Sequence, residues 1–242
     1  MELGSSLKNY GEYQQIELDL LLQIINSNTV VYDVGSNIGY HASAFASKSQ
    51  QVYCFEANLD HFKMLKLNLN NNPRCHLFNN AIGNTVGEIL VEEFDPYANE
   101  NYGAVRVGSN QGRAVKLVTL DSLDLPLPDF IKIDVEGYEL PVLQGALNLI
   151  KQKLPVIYFE AQESKDLDKI YYLLKDFGYI LKWVCVKNFN TNNFFNNQNN
   201  LYENSAIFSI LCYQPNTIQT ELEDVLGPND SWEKVIDRAN KK

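Results

Sequence analysis

Apolar residues fall into two alternating rhythms along the chain. Runs rich in β-branched and aromatic residues at 30–34 (V-V-Y-D-V), 51–56 (Q-V-Y-C-F-E), 75–78, 130–133 (F-I-K-I), 154–160 (L-P-V-I-Y-F-E), 179–187 and 206–213 (A-I-F-S-I-L-C-Y) read as strands. Between them, apolar residues recur three and four apart at 16–25, 41–48, 58–70, 138–151 and 166–177, which predicts helices. Asn58 is an Asx-type cap, Pro141 sits in a first turn where proline is tolerated, and Gly178 is a stop. This alternation predicts an α/β fold, a seven-stranded and mostly parallel sheet with helices on both faces. It is interrupted at about 87–120. There residues 88–94 and 114–120 flank a polar loop with Asn99, Asn101, Gly103, Gly108, Asn110 and Gly112, and predict an inserted β-hairpin. Residues 1–28 form a helical lead-in, 29–213 the main domain, and 214–242 an acidic, helix-prone tail with Trp232 as an anchor. The tail docks on the core or on a second subunit, and the latter would make a homodimer.

The chemistry concentrates where strands end. Residues 30–39 join an apolar strand to a helix through D-V-G-S-N-I-G, with Asp33 near the strand's carboxyl end and Gly35 and Gly39 framing Ser36 and Asn37. Such a turn lets a ligand lie against the main chain, where a helix N-terminus offers free N–H groups. The spacing is G-x-x-x-G rather than the G-x-G-x-x-G that cradles a pyrophosphate. Asp33 also disfavours phosphate and favours an ammonium such as that of S-adenosylmethionine. A tight strand-to-helix connection explains the same residues without a ligand. Glu56 closes the next strand, 21 residues after Gly35, where a carboxylate accepts both hydroxyls of a ribose. Asn80 and Ala81, in the turn-rich segment 79–83, are candidates for an adenine edge.

The second acidic motif is F-I-K-I-D-V-E-G at 130–137. Lys132 is costly to bury unpaired and is expected to reach a carboxylate, while Asp134 and Glu136, two apart on an extended chain, face one side. Paired acids at a strand end suit a cationic ligand, a metal or acid–base work. Candidates for a base are Asp134, Glu136, Glu160 and His41, with Asp134 favoured; loop-orienting acids and a packing histidine are the alternatives. No metal is assigned, because Asp134 and Glu160 alone underdetermine a divalent site. Tyr10 and Tyr13 are read as tyrosines covering the core, with a reach over the ligand pocket as the alternative.

A formal net charge of -10 and a pI near 4.8 argue against a nucleic-acid partner. The four cysteines (Cys54, Cys75, Cys185, Cys212) lack metal-ligand spacing and read as reduced core residues. Neither a secretory signal nor an apolar run of about 18 residues is present, so a cytoplasmic protein without a membrane span is expected. The asparagine-rich segment 188–200 reads as a biased, mobile loop.

The motifs taken in order resemble the class I S-adenosylmethionine-dependent methyltransferases, with their Rossmann-like sheet, and more narrowly the FkbM family. The resemblance rests on Y-G-E-Y, D-V-G-S-N-I-G-Y-H, F-E-A-N, N-N-A-I-G, T-L-D-S-L, I-K-I-D-V-E-G-Y-E, V-L-Q-G-A and P-V-I-Y-F-E, and covers about 10–213. Ser36 and Ala57 depart from the alanine and proline common in such loops. The resemblance implies that residues 33–39 (Asp33, Gly35, Ser36, Asn37, Gly39) hold the methionine part of the cofactor, Glu56 the ribose, and Asn80 with Ala81 the adenine, Asp134 lying beside them. It also implies O-methylation of a hydroxyl on a sugar, glycan, polyketide or related metabolite. Readings from other classes are a catalytically silent cofactor-binding scaffold and a nicotinamide-dependent oxidoreductase, which lacks its third glycine here.

Overall fold

The computed structural model describes residues 3–92, 108, 110–162, 165–203 and 205–240. Helices α1 (Leu3–Tyr10) and α2 (Gln15–Ile24) lead into β1 (Val30–Val34), α3 (Tyr40–Lys48), β2 (Gln51–Phe55), α4 (Leu59–Leu69) and β3 (Cys75–Phe78). Next come β4 (Ala81–Ile82), β5 (Gly87–Val91), β6 (Arg113–Val118) and β7 (Phe130–Ile133). The chain continues through α5 (Glu139–Gln144), α6 (Leu147–Lys153), β8 (Val156–Glu160), α7 (Leu167–Asp176), β9 (Ile180–Lys187), β10 (Ala206–Tyr213) and α8 (Trp232–Ala239).

Seven strands form one sheet in the order β3-β2-β1-β7-β8-β10-β9. All pairings are parallel except those of β10, which runs antiparallel to both neighbours. The order reverses between β1 and β7. At such a switch point the connections leave to opposite sides, so a crevice opens beyond the carboxyl ends of the strands.

Strand alternation sorts the core into two layers. Tyr32, Val34, Ile131, Ile133, Ile157 and Phe159 face one layer with Val142, Leu143, Ile150, Ile170 and Leu174 of α5–α7. Val31, Val52, Cys54, Phe130, Tyr158 and Leu211 face the other, with Leu18 and Leu21 of α2, Phe45 of α3 and Leu65 of α4. Asn58 caps α4 as expected, accepting from the amides of Asp60 and His61.

Several expectations need correction. The helix expected over 138–151 is two helices, because Gly145 lies against the Gly83 carbonyl; a Cβ there would come within 1.9 Å of that oxygen. This contact ties the second helix pair to the 79–83 turn. The inserted hairpin is the antiparallel pair β5–β6, but β4 joins it to make a second, three-stranded sheet. Glu93, Phe94, Asn99, Asn101 and Gly103 lie outside the described residues.

The asparagine-rich segment is built into the fold rather than being a loose loop. Asn193 is 2% exposed and donates to the carbonyls of Asn190 and Asn197. Asn190 Nδ2 and the Phe194 amide both donate to the Glu12 carboxylate, so the asparagines supply the polar satisfaction that a buried acid requires. Among the described residues of the tail, α8 alone is helical, and they pack on the chain's own core. Trp232 lies 5.1 Å from Phe208, and Asp224 bridges to Lys182. Cys54 and Cys212 are buried, but Cys185 is exposed, against the expectation of a core thiol. No helix among the described residues is long and apolar enough to cross a membrane.

Candidate active site

A polar row crosses the sheet one step below the crevice. Register pairs Asp33 with Lys132 and Lys132 with Tyr158, so all three side chains stand on the α2–α4 side. Lys132 Nζ is 2.9 Å from Asp134 Oδ2 and 3.7 Å from Asp33 Oδ1. Asp33 is wholly buried, and its carboxylate oxygens make no hydrogen bond among the described residues, so the lysine is their compensation. Burial alone lowers the Lys132 pKa, but the Asp134 and Asp33 carboxylates outweigh it and hold the pKa above the usual lysine value. For Asp134, burial works upward and Lys132 downward; the lysine wins, keeping this carboxyl ionised. The Tyr158 hydroxyl donates to Glu17, whose other oxygen lies 3.5 Å from His41 Nε2.

The turn after β1 is closed upon itself. The amides of Gly35 and Ser36 both donate to the Phe55 carbonyl, at 2.9 and 3.1 Å. Asn37 donates its amide to Glu56 Oε2 at 2.7 Å, Ile38 to Asn37 Oδ1 at 2.8 Å, and Gly39 to the Ser36 carbonyl at 2.9 Å. The free N–H groups expected at this helix N-terminus are therefore already used at residues 35–39. Both glycines have positive φ and are pressed by protein: a Cβ on Gly35 would lie 1.8 Å from the Asp134 carbonyl oxygen, and one on Gly39 2.7 Å from Leu65 Cδ1.

Glu56 is 7% exposed and also accepts from the Asn58 amide at 2.8 Å. Burial pushes its pKa up to about 7, against the two backbone donors. It lines a narrow cleft of about 60 Å³ together with Gly35, Asn37, Asn80, Ala81, Asp134 and Glu136. Asn79 holds this wall by donating to the Glu56 and Ala57 carbonyls. Asn37, Asp134 and Glu136 also line a larger neighbouring cavity of about 600 Å³, with Ser36, Tyr13, Glu17, Tyr158, Glu160 and Ser209. Asp33 and His41 sit beneath these surfaces, and Gly39 serves the α3–α4 contact.

Three of the four candidate bases meet here. One carboxylate oxygen each from Asp134, Glu136 and Glu160 lies within 4.8 Å of the others. Burial, then the charges of Asp134 and Glu136, raises the Glu160 pKa to about 9. Against the expectation from the sequence, Glu136 is not on an extended chain. It adopts φ +45°, followed by Gly137 at +84°, and this left-handed pair turns the chain into α5. Glu17, Tyr158 and Ser209 escaped the sequence reading. Glu17 alone left a signal, an acid inside the apolar run 16–25. The tyrosines divide: Tyr10 is buried against Phe189 and Tyr202, whereas Tyr13 lines the cavity.

An open sheet with β1 and β7 at its switch point, a self-closed turn after β1, and acids at successive strand ends define a class I methyltransferase. Residues 33–189 match the methyltransferase FkbM domain, and the chain belongs to the FkbM family of S-adenosylmethionine-dependent methyltransferases. It is 32% identical over 165 residues to the hexuronic acid methyltransferase AglP of Haloferax volcanii, covering 65% of this chain and 67% of that one. The crystal structure of methyltransferase FkbM from Methylobacillus flagellatus KT is 16% identical with a TM-score of 0.49. That match covers 76% of this chain and 43% of the other, so the chain spans less than half the length of that protein. Precorrin-6y C5,15-methyltransferase from Geobacter metallireducens GS-15 is similar in fold, with a TM-score of 0.53 at 18% identity, over 83% of this chain and 88% of that one.

Proposed function

We propose that the chain transfers the methyl group of S-adenosylmethionine to a hydroxyl of a sugar or glycan. The observation that carries this reading is the junction of the two cavities. The narrow one offers Glu56, Asn37 and Asn80 to a nucleoside, the wide one offers tyrosines and acids to an acceptor, and Asp134 and Glu136 belong to both. The donor set fits the cofactor. Glu56 accepts one backbone amide on each oxygen and keeps lone pairs for two ribose hydroxyls. Ala81 leaves an adenine edge beside Asn80, and Asp134 is an ionised acid near a cationic ligand. The bound cofactor supplies an activated methyl on a sulfonium. The protein's part is to hold an acceptor oxygen in line and receive its proton. Asp134 is the carboxylate placed to take that proton, because Lys132, 2.9 Å away, keeps it ionised. The wide cavity, with Tyr13, Glu17, Tyr158 and Ser209, presents hydroxyls and a carboxylate to a polyol. The hexuronic acid activity named for the Haloferax relative supports a sugar acceptor.

The experiment is methyl transfer followed by mass spectrometry against panels of sugar, glycan, lipid and polyketide hydroxyl acceptors. Asp134→Asn is expected to lose turnover by about 100-fold or more at saturating cofactor, in the range of a general base. Unchanged turnover removes Asp134 as the proton acceptor, and preference for NAD over adenosylhomocysteine removes the methyltransferase reading of this site.

A further inference from the structure

The wide cavity brings three carboxylates together from two separate segments. Asp134 and Glu136 follow β7, and Glu160 closes the adjacent parallel strand β8. The oxygens they can offer span at most 4.8 Å, the separation of opposite ligands on a cation held at about 2.4 Å, within the range of calcium–oxygen distances. Closer positions suit the smaller magnesium or manganese ion after side-chain rotation.

An acid cluster alone does not define a site, and a second observation points to a ligand. Ser209 is the register partner of Glu160 across the β8–β10 pair, so the two side chains stand on the same face of the sheet. It is 1% exposed and lines the same cavity. Its Oγ, beside the Tyr158 hydroxyl, completes no hydrogen bond among the described residues, which leaves a buried hydroxyl in the cavity wall unsatisfied. Behind the cluster, Lys132 is engaged with Asp134 and Asp33, while Glu17 adds a further carboxylate to the cavity wall. His41 Nε2 faces Glu17 from α3.

We propose that Asp134, Glu136 and Glu160 bind one hard divalent cation, of the magnesium, manganese or calcium type, and that Ser209 contacts a water or acceptor hydroxyl in its coordination sphere. Three oxygens leave coordination positions open toward the wide cavity, where vicinal hydroxyls of a sugar complete the shell. The cation then fixes which acceptor oxygen faces the nucleoside cleft. This role rests on the methyltransferase reading above, whereas cation binding itself does not.

The test is titration of the full chain with Mn²⁺, followed by electron paramagnetic resonance, with Mg²⁺ and Ca²⁺ as competitors and adenosylhomocysteine binding measured in parallel. Saturable uptake of one Mn²⁺ per chain is expected. Glu136→Gln, in a half-exposed turn, and Glu160→Gln should each weaken it at least tenfold, and Ser209→Ala about two- to threefold. Circular dichroism and thermal unfolding report whether each variant is folded. Failure of the wild-type chain to bind Mn²⁺ more tightly than a folded Glu136→Gln/Glu160→Gln variant overturns the proposal while leaving the cofactor reading intact. Loss of adenosylhomocysteine binding in wild type would instead overturn the cofactor reading, with cation binding judged separately.

Discussion

Replacing Lys132 by methionine tests the electrostatic foundation of the site. Asp33 is 0% exposed, its carboxylate accepts no hydrogen bond among the described residues, and Oδ1 faces Lys132 Nζ at 3.7 Å. At that distance the attraction is about 4 kcal/mol for an effective dielectric of 20. Methionine fills similar space but leaves Asp33 as an uncompensated buried charge, and breaking such a pair costs about 3–5 kcal/mol. For a chain of this size that is a fall in Tm of about 10 °C, taking roughly 2–4 °C per kcal/mol. Removing both charges, in Lys132→Met/Asp33→Asn, should recover most of the loss, because the penalty lies in the orphaned acid rather than in the missing attraction. Asp134 is part of the same unit, with Oδ2 2.9 Å from the ammonium, but at its side chain 36% of the surface is solvated, so water compensates it. Urea denaturation of wild type, both singles and the double gives the coupling energy directly. A single Lys132→Met variant within about 1 kcal/mol of wild type, or a double variant no more stable than that single, refutes the argument.

Other expectations follow from the same geometry. Because burial raises the Glu56 pKa to about 7, the folded chain binds this proton more tightly than the unfolded chain. That contribution to stability is full below the ordinary glutamate pKa and is lost as pH rises to 7, by about 3 kcal/mol in the ligand-free protein. Adenosylhomocysteine should show the opposite trend by calorimetry, its affinity falling about tenfold per unit below pH 7; a flat profile, or one that Glu56→Gln leaves unchanged, excludes the ribose role. Gly35→Ala incurs about 1–2 kcal/mol for its left-handed backbone and more for a Cβ 1.8 Å from the Asp134 carbonyl. Gly178→Ala, at φ +78° with its nearest neighbour 3.7 Å away, should lose only the backbone part, and equal losses in Tm contradict the packing account. At Asp230 burial works upward, but Arg238, the Leu226 amide and Trp183 Nε1 hold the pKa to about 2. Its stabilisation, about 2 kcal/mol, is present above pH 4 and lost as pH falls toward 2; in urea titrations Asp230→Asn should flatten that acid limb.

The strands and most helices were legible because each carries its own periodicity, and the acids at 33, 56, 134 and 160 because each ends an apolar run. What the pattern hid was long-range. The break at Gly145 depends on the carbonyl of Gly83, distant in sequence, and so leaves no mark on the helical rhythm. Asparagines at 190–197 look like low-complexity drift until Glu12, from the other end of the chain, is seen to need their donors. Glu136 was misplaced because a left-handed pair, Glu136–Gly137, follows the strand where an extended chain was assumed. Ser209 was invisible for a related reason: its partner Glu160 is assigned only by antiparallel register between β8 and β10.

The hydrogen bonding of the turn after β1 also decides between cofactor classes more firmly than glycine spacing does. A pyrophosphate held at a strand-to-helix turn relies on main-chain N–H groups pointing outward. Here the amides from Gly35 to Gly39 all donate inward, to Phe55, Glu56, Asn37 and Ser36. A diphosphate placed at this turn would meet the Glu56 carboxylate and Asp134 instead, paying Coulomb repulsion without hydrogen bonds in return. A sulfonium with its ammonium meets the same surface favourably, since both charges are positive and Asp134 is ionised. The acids beyond Asp134 extend this preference to the acceptor. An uncharged hydroxyl approaches Glu160 and Glu136 freely, whereas an anionic group does so only when held away from them or when a cation lies between.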